Sequence, residues 1–250
     1  MSALGAVVLD TDGVLLDSAA LHAGAWKTAF DGCLDSWASD GGSRQPFDVH
    51  REYLDLVDGK ARHDGALAFL HARGIALPAG TPDDPPGCGT VWAVAARKEQ
   101  AFTEALRTRP VTPFEDVRPA LIRLRERNIR CAAVSASRHA RPLLRAAGLV
   151  DLFDALVDGT DAARLALAGK PDPALFLEAA DRLGTTPAHA AVAEDALAGV
   201  EAGRRGRFGL VVGISRTRAP DADAQLRAHG ADVVFPDLGA LAARVCGAGR

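Results

Sequence analysis

The chain has 250 residues, 48% of them hydrophobic and 24% charged, a balance that excludes a wholly disordered chain or a collagen-like repeat. At about 150 residues per domain, this length suits one large domain or a domain carrying an insertion. With 29 basic against 32 acidic side chains and a net charge of -3, no overall cationic field draws the protein to nucleic acid or anionic lipid, and neither partner is expected.

The first apolar run, Gly5 to Leu9, stops at Asp10 and reads as a buried parallel strand ending in polar residues. No basic segment precedes it, and no stretch offers the roughly 18 apolar residues of a membrane span, so a cytoplasmic protein is expected. From Ser18 to Arg109 the pattern is helical, with helices predicted over Ala19 to Phe30, Val49 to Val57, Asp64 to Arg73 and Val91 to Arg107. Asp17-Ser18 is placed to cap the entering helix, Pro110-Val111-Thr112-Pro113 ends the departing one, and Leu77 to Gly89 is a proline-rich loop. Further on, strands at Arg130 to Val134, Ala155 to Val157, Ala190 to Ala193, Phe208 to Val212 and Asp232 to Phe235 alternate with helices. Those helices are predicted over Val117 to Arg127, Arg138 to Ala147, Pro173 to Leu183 and Ala196 to Arg204.

This alternation predicts an α/β fold: a Rossmann-like parallel sheet with helices on both faces, over residues 1–17 and 110–250, plus an inserted all-helical cap over 18–109. A ligand then binds beyond the carboxyl ends of the strands, so the polar residues just after each strand are the informative ones. The four cysteines, Cys33, Cys88, Cys131 and Cys246, form no C-x-x-C pair and are expected to be reduced.

Two carboxylates close the first strand in Asp10-Thr11-Asp12-Gly13-Val14-Leu15, where a turn at Gly13 brings both toward one ligand. A surface Asp-Gly turn is the bland alternative. A calcium loop is excluded, because the glycine stands fourth rather than sixth and Leu21 occupies the twelfth position. Ser135-Ala136-Ser137-Arg138 follows the next strand, where a hydroxyl and the free N–H groups at a helix start suit phosphate, although Ser135 alone reads as a helix cap sooner than as a ligand. Lys170 sits between Gly169 and Pro171, and lysine is scarce here, with only Lys27, Lys60, Lys98 and Lys170. Glu194-Asp195 end a further strand with no cation nearby in sequence. They either cap the next helix or hold a cation jointly with Asp10, and Mg²⁺ is the natural occupant of such an oxygen-rich site.

These four signals stand in order, each at the predicted carboxyl end of a strand, and together they resemble the four motifs of the haloacid dehalogenase superfamily. Asp12-Gly13-Val14-Leu15-Leu16-Asp17-Ser18, His22, Trp26, Ser135-Ala136-Ser137, Lys170-Pro171 and Glu194-Asp195-Ala196-Leu197-Ala198-Gly199 further resemble its β-phosphoglucomutase-like group with a helical cap. The resemblance implies Mg²⁺-dependent phosphoryl transfer through an aspartyl phosphate on Asp10, with Asp12 as proton donor and acceptor. It implies that Ser135, the backbone of Ala136 and Ser137, and Arg138 hold phosphoryl oxygens while Lys170 offsets their charge. Asp10, the Asp12 carbonyl, Glu194 and Asp195 would form the metal site. In the cap, Arg62 and Lys98 match cations that grip a distal phosphate, His22 matches a hinge histidine, and Trp26 either lines a sugar pocket or simply packs.

A halide leaving group needs no proton, so the second carboxylate disfavours dehalogenation. A phosphonatase needs a Schiff-base lysine, for which Lys60 and Lys98 offer no sequence support. Arg138-His139 and Gly65 depart from the group's usual residues, and the loop at Leu77 to Gly89 is longer; these differences bear on which sugar is bound and leave the phosphoryl chemistry alone. The runs Arg204-Arg205-Gly206-Arg207 and Arg138, Arg141, Arg145 read as solvated faces. The expectation is a monomeric phosphomutase acting on a sugar phosphate, β-glucose 1-phosphate to glucose 6-phosphate. A sugar-phosphate phosphatase is the alternative, and a catalytically quiet phosphate-binding protein is the alternative of another class.

Overall fold

The computed structural model describes residues 4–38, 45–216 and 221–247. The chain divides into two compact units, Met1–Asp17 with Val111–Arg250, and Ser18–Pro110. In chain order the elements are β1 (Ala6–Asp10), α1 (Ala19–Asp31), α2 (Leu34–Ala38), a π-helical turn at Tyr53–Val57, α3 (Arg62–Ala72) and α4 (Val91–Thr108). Then come α5 (Val117–Glu126), β2 (Arg130–Val134), α6 (Ala140–Ala146), β3 (Ala155–Val157), α7 (Gly159–Leu165), α8 (Ala174–Arg182) and β4 (Ala190–Glu194). The chain ends with α9 (Leu197–Arg205), β5 (Leu210–Ile214), α10 (Ala222–Ala228), β6 (Val233–Phe235) and α11 (Leu238–Gly247).

The first unit is one parallel sheet in the order β3-β2-β1-β4-β5-β6. Every residue of β1 is buried because successive side chains enter different cores. Val7 and Leu9 join Leu121 and Leu124 of α5 and Leu241 of α11, whereas Ala6 and Val8 join Phe176 and Ala179 of α8 and Val200 of α9. Helix α5 shows why its sequence chose that face: Val117, Ala120, Leu121 and Leu124 recur at helical spacing and are buried, with arginines on the outside. Truncating Leu121 or Leu124 to alanine should cost about 2–5 kcal/mol. The chain leaves β1 for β2 and β3 on one side and returns to β4 on the other, so the carboxyl ends of β1 and β4 flank a topological switch point, where α/β sheets place their ligands.

The expected strands are present, with β5 starting two residues later than its apolar run suggests. Phe208 is drawn out of the strand to meet the edge of Phe176, and the Gly209 N–H is shared between the Pro187 and Ala190 carbonyls. Helices α2, α7, α10 and α11 were not expected. Of these, α7 is organised by Asp158, whose carboxylate accepts from the Thr160 and Asp161 N–H groups in a capping box.

The helical unit packs around Trp26, Phe30, Phe47 and Phe69, with the Phe30 and Phe69 rings stacked at 3.8 Å and Trp26 on Phe30 at 4.9 Å. Ser18 takes the N-cap position of α1 without a side-chain capping bond, contrary to expectation. The expected helix over Val49 to Val57 is largely the π-helical turn, with a bond from the Asp58 N–H to the Tyr53 carbonyl. The reduced state expected for Cys33 and Cys88 is also corrected, because they form a disulfide with their Cα atoms 5.4 Å apart. The proline-rich loop makes this possible: Val91 and Trp92 donate to the Pro78 and Ala79 carbonyls, and the Trp37 indole donates to the Cys88 carbonyl, drawing Cys88 to the end of α1. Cys131 and Cys246 are free and buried, and burial pushes the Cys131 thiol up to about 12. Among the described residues no helix is long and apolar enough to cross a membrane.

Candidate active site

Asp10 and Glu194 close β1 and β4, and Ser135 follows the end of β2. Asp10 is the last residue of β1 and is almost wholly buried. One of its oxygens receives the Asp12 N–H at 2.9 Å, which begins the turn through Gly13, and the other is paired with the Lys170 ammonium. Lys170 enters from the loop before α8, preceding Pro171 across a cis peptide, and also pairs with Glu194 at the end of β4. Its ammonium lies 4.8 Å from the centre of the Phe176 ring.

Lysine here is therefore no solvated surface group: it is 2% exposed and joins two buried acids from neighbouring strands. The sequence left Glu194-Asp195 either to cap the next helix or to hold a cation jointly with Asp10. Lys170 supplies a counter-charge for Glu194, whose second oxygen accepts the Ala196 N–H at 2.7 Å. Burial pushes the Asp10 carboxyl well above the usual carboxylate range, with Glu194 and Asp12 adding to the push and Lys170 opposing it. Burial alone would lower the Lys170 ammonium, but Asp10 and Glu194 outweigh it and raise it, so the lysine is held charged.

Asp10, Glu194 and Asp195 present oxygens that all lie within 4.8 Å of one another. This hard, oxygen-only donor set fits a small divalent cation better than a thiophilic one. Two glycines leave the carboxylates their space. A Cβ on Gly13, whose φ is +80°, would overlap the Asp195 carboxylate, and a Cβ on Gly199 would overlap that of Glu194.

Asp12 accepts the Ser135 hydroxyl at 3.0 Å, and the Ser135 oxygen in turn accepts the Ser137 N–H at 3.0 Å. The Ser137 oxygen accepts the His139 N–H at 3.2 Å, so these side chains shape the loop after β2; Ser135 does not cap α6, whose N-cap is His139. Gly159 forms the floor of that loop. It donates to the Ser137 carbonyl at 3.1 Å, and a Cβ there would strike the Ala136 carbonyl oxygen and the Arg138 nitrogen. Sequence reading passed over Gly159, whose signal would have been a glycine directly after a strand-end aspartate. Ala136 and Ser137 are partly exposed and Arg138 is exposed. Thr11 donates to the Val134 carbonyl at 2.9 Å, tying the Asp10 turn to β2.

The structure thus gathers Asp10, Asp12, Ser135, Lys170, Glu194 and Asp195 at the switch point of the first unit. The remaining sequence candidates lie in the helical unit and form their own cluster. Lys98 is 6% exposed, with its ammonium 2.9 Å from His22 Nδ1 and 4.6 Å from the centre of the Phe102 ring. His22 stacks on Phe102 at 4.1 Å. Trp26 is buried in that unit's core, with the Lys98 ammonium 5.6 Å from its ring centre, and Gly65 lies so close that a Cβ would come within 3.0 Å of the indole. Arg62, at the start of α3, pairs with Glu99 at 3.1 Å.

A family model for haloacid dehalogenase-like hydrolases matches residues 4–207. A β-phosphoglucomutase of Mycobacterium bovis is 44% identical over 237 residues, spanning 94% of this chain and 90% of that protein. One from Bacillus subtilis is 32% identical over 83% of both chains. A phosphorylated carbohydrates phosphatase of Thermotoga maritima is 27% identical over 93% of this chain and 94% of its own. The crystal structure of a Clostridium difficile β-phosphoglucomutase shares the fold, with a TM-score of 0.71 at 21% identity over 95% of this chain and 93% of that one. The chain, with its strand-end acids, buried lysine and matching relatives, belongs to the haloacid dehalogenase-like hydrolase family.

Proposed function

We propose that this protein is a Mg²⁺-dependent phosphomutase that converts β-glucose 1-phosphate to glucose 6-phosphate through a phosphorylated Asp10. The observation that carries the reading is the 44% identity, over nearly the whole chain, to a protein named for that activity. The site chemistry agrees with it. Phosphoryl transfer requires mainly positioning and charge neutralisation, and the switch point supplies a buried carboxylate, a second carboxylate two residues away and a buried cation.

In this reading an oxygen of Asp10 forms the bond to phosphorus as the bond to the departing sugar oxygen breaks. Asp12 gives that oxygen its proton, and later takes the proton of the sugar hydroxyl that recovers the phosphoryl group. A carboxyl group placed for this contributes about 10²–10⁴-fold. Because the Ser135 hydroxyl rests on Asp12, arrival of a phosphoryl group exchanges that bond for one to a phosphoryl oxygen and releases Asp12 toward the sugar oxygen. Lys170 and the N–H groups of Ala136 and Arg138 stabilise the equatorial oxygens, and the Ser137 N–H joins them by exchanging its bond to the Ser135 oxygen. Asp10, Glu194, Asp195 and the Asp12 carbonyl would hold Mg²⁺, which when bound neutralises charge between the carboxylates and the phosphoryl group. Arg62 and Lys98 are assigned to the distal phosphate of a bisphosphorylated sugar, His22 to sensing its arrival and Trp26 to supporting that cluster. Arg62 must then exchange Glu99 for phosphate.

The 27% identity to a phosphatase of phosphorylated carbohydrates favours a second reading, in which water takes the phosphoryl group from Asp10. One assay separates the two. The protein is incubated with β-glucose 1-phosphate, Mg²⁺ and a trace of glucose 1,6-bisphosphate, and glucose 6-phosphate and free phosphate are followed together. Glucose 6-phosphate without phosphate supports the mutase, and stoichiometric phosphate supports the phosphatase. Neither product, across a panel of phosphate esters, supports a quiet phosphate binder.

A further inference from the structure

Arg216, two residues past the end of β5, makes an unusual set of contacts. Its Nε donates to the Gly13 carbonyl at 3.1 Å and its Nη2 to the Val14 carbonyl at 2.6 Å. The same guanidinium is held by Asp116 through two further bonds, at 2.8 and 3.1 Å, and its carbon lies 3.7 Å from the centre of the Phe114 ring. Asp116, just before α5, also accepts the Leu238 N–H at 2.8 Å from the first turn of α11. Both side chains are half-buried, and burial of Asp116 is outweighed by these donors, which hold its carboxyl below the usual range. The ring below and the carboxylate beside it fix the guanidinium plane, and two of its remaining donors point at consecutive carbonyls.

We infer that Arg216, anchored by Asp116, is a positioning residue that fixes the turn carrying Asp12, by binding the two carbonyls that immediately follow it. This inference rests on the assignment of Asp10 and Asp12 to phosphoryl transfer. The turn has little internal latitude. The Leu15 and Leu16 N–H groups both bond the Thr11 carbonyl, and Gly13 fits against the Asp195 carboxylate only because it lacks a Cβ. Rotation of the peptide after Gly13 would carry Gly13 into or away from Asp195, and would re-aim both the carboxyl and the carbonyl of Asp12. An error of about 1 Å at such a position costs about 10²-fold in rate, and loss of support behind metal-binding oxygens costs about 10-fold or more in affinity. A lysine at 216 would keep the charge and lose the planar fork.

The test uses the full chain with Arg216→Met, Arg216→Lys and Asp116→Asn, the last two being milder changes should the first fail to fold. Phosphomutase kcat and KM, calorimetric Mg²⁺ affinity and Tm are measured for each. The expected result for Arg216→Met is a kcat lower by about 10²-fold with KM within about 3-fold, and Mg²⁺ binding weakened about 10-fold. Arg216→Lys should fall close to it, and Asp116→Asn should fall between it and the parent. A lower Tm with unchanged kcat and unchanged Mg²⁺ affinity overturns the inference and leaves Arg216 a strut of the fold. A parent protein inert toward sugar phosphates, whose Mg²⁺ affinity still weakens in Arg216→Met, overturns the proposed reaction and sustains the positioning role. Unchanged Mg²⁺ affinity in an active parent and in all variants of normal kcat overturns the positioning role alone.

Discussion

Replacing Lys170 by methionine keeps most of the volume of the side chain and removes its charge. In the native protein that charge is 2% exposed and paired with two buried acids, Asp10 and Glu194, so its loss leaves them uncompensated beside Asp195. At an effective dielectric constant of about 20, two carboxylates separated by the 4.8 Å limit of this cluster repel by about 3.5 kcal/mol. Breaking one side of a buried ion pair typically costs about 3–5 kcal/mol, so Lys170→Met should lose that much stability in the absence of Mg²⁺. Added Mg²⁺ should recover part of the loss, because a cation bound only by the folded state stabilises it by mass action. The assay must observe the right unit. Trp26, Trp37 and Trp92 all lie within Ser18–Pro110, so intrinsic fluorescence follows the helical unit and serves as the control. Amide exchange of β1 and β4 in urea reports the sheet that carries the site. Exchange in these strands that matches the parent within about 1 kcal/mol, with and without Mg²⁺, would refute the view of Lys170 as the resident counter-charge.

Three further outcomes follow from named contacts. Gly199→Ala should cost about 1–3 kcal/mol and lower kcat, because the new Cβ must displace the fully buried Glu194 carboxylate; chemical denaturation and turnover check it, and parent-like values would contradict the packing. Unfolding without reductant should expose to iodoacetamide only Cys131 and Cys246, whereas dithiothreitol should add Cys33 and Cys88. Closing a loop across a sequence separation of 55 residues is worth about 4 kcal/mol in the chain-entropy picture, so reduction should lower the urea midpoint seen by tryptophan fluorescence. Asp161 gives a pH signature. Burial alone would raise its carboxyl, but bonds from Arg182, Arg164 and the Asp158 N–H hold it down to about 2. A carboxyl lowered in the folded state stabilises above its unfolded value near 4 and loses that contribution as pH falls from about 4 to 2. Asp161→Asn should therefore flatten the acid limb of the stability curve by about 1–2 kcal/mol, after allowance for screening by solvent, and an unchanged limb would count against the assignment.

The core of the site was legible because each of its residues sits within a few positions of an apolar run. Asp10, Ser135 and Glu194 end strands or follow them directly, and parallel packing gathers such ends without further information. Lys170 was legible as a candidate but not as the partner of Glu194, since 24 residues separate them and only the folded sheet brings the two loops together. The same reason hid the Cys33–Cys88 disulfide, which depends on the path of a proline-rich loop, and the pairing of Arg216 with Asp116 across 100 residues. Gly13, Gly159 and Gly199 could be noticed in sequence as turn or helix residues. Their actual requirement, space for a neighbouring carboxylate or backbone, is a property of packing. In the helical unit the residue types at Lys98 and His22 were informative, yet their mutual contact, burial and stacking on Phe102 were not written in the spacing of α1 and α4.

The most direct measurement is to find where the phosphoryl group resides during turnover. The protein is mixed with β-glucose 1,6-bisphosphate and Mg²⁺, quenched in acid within the first turnover, reduced with borohydride to convert an acyl phosphate to the alcohol, and digested for peptide mass spectrometry. The account predicts the reduced residue at Asp10 in the parent, retained in Asp12→Asn at a slower rate, and absent in Asp10→Asn along with all activity. Turnover with the reduced residue at another position, or turnover that survives in Asp10→Asn, would contradict it.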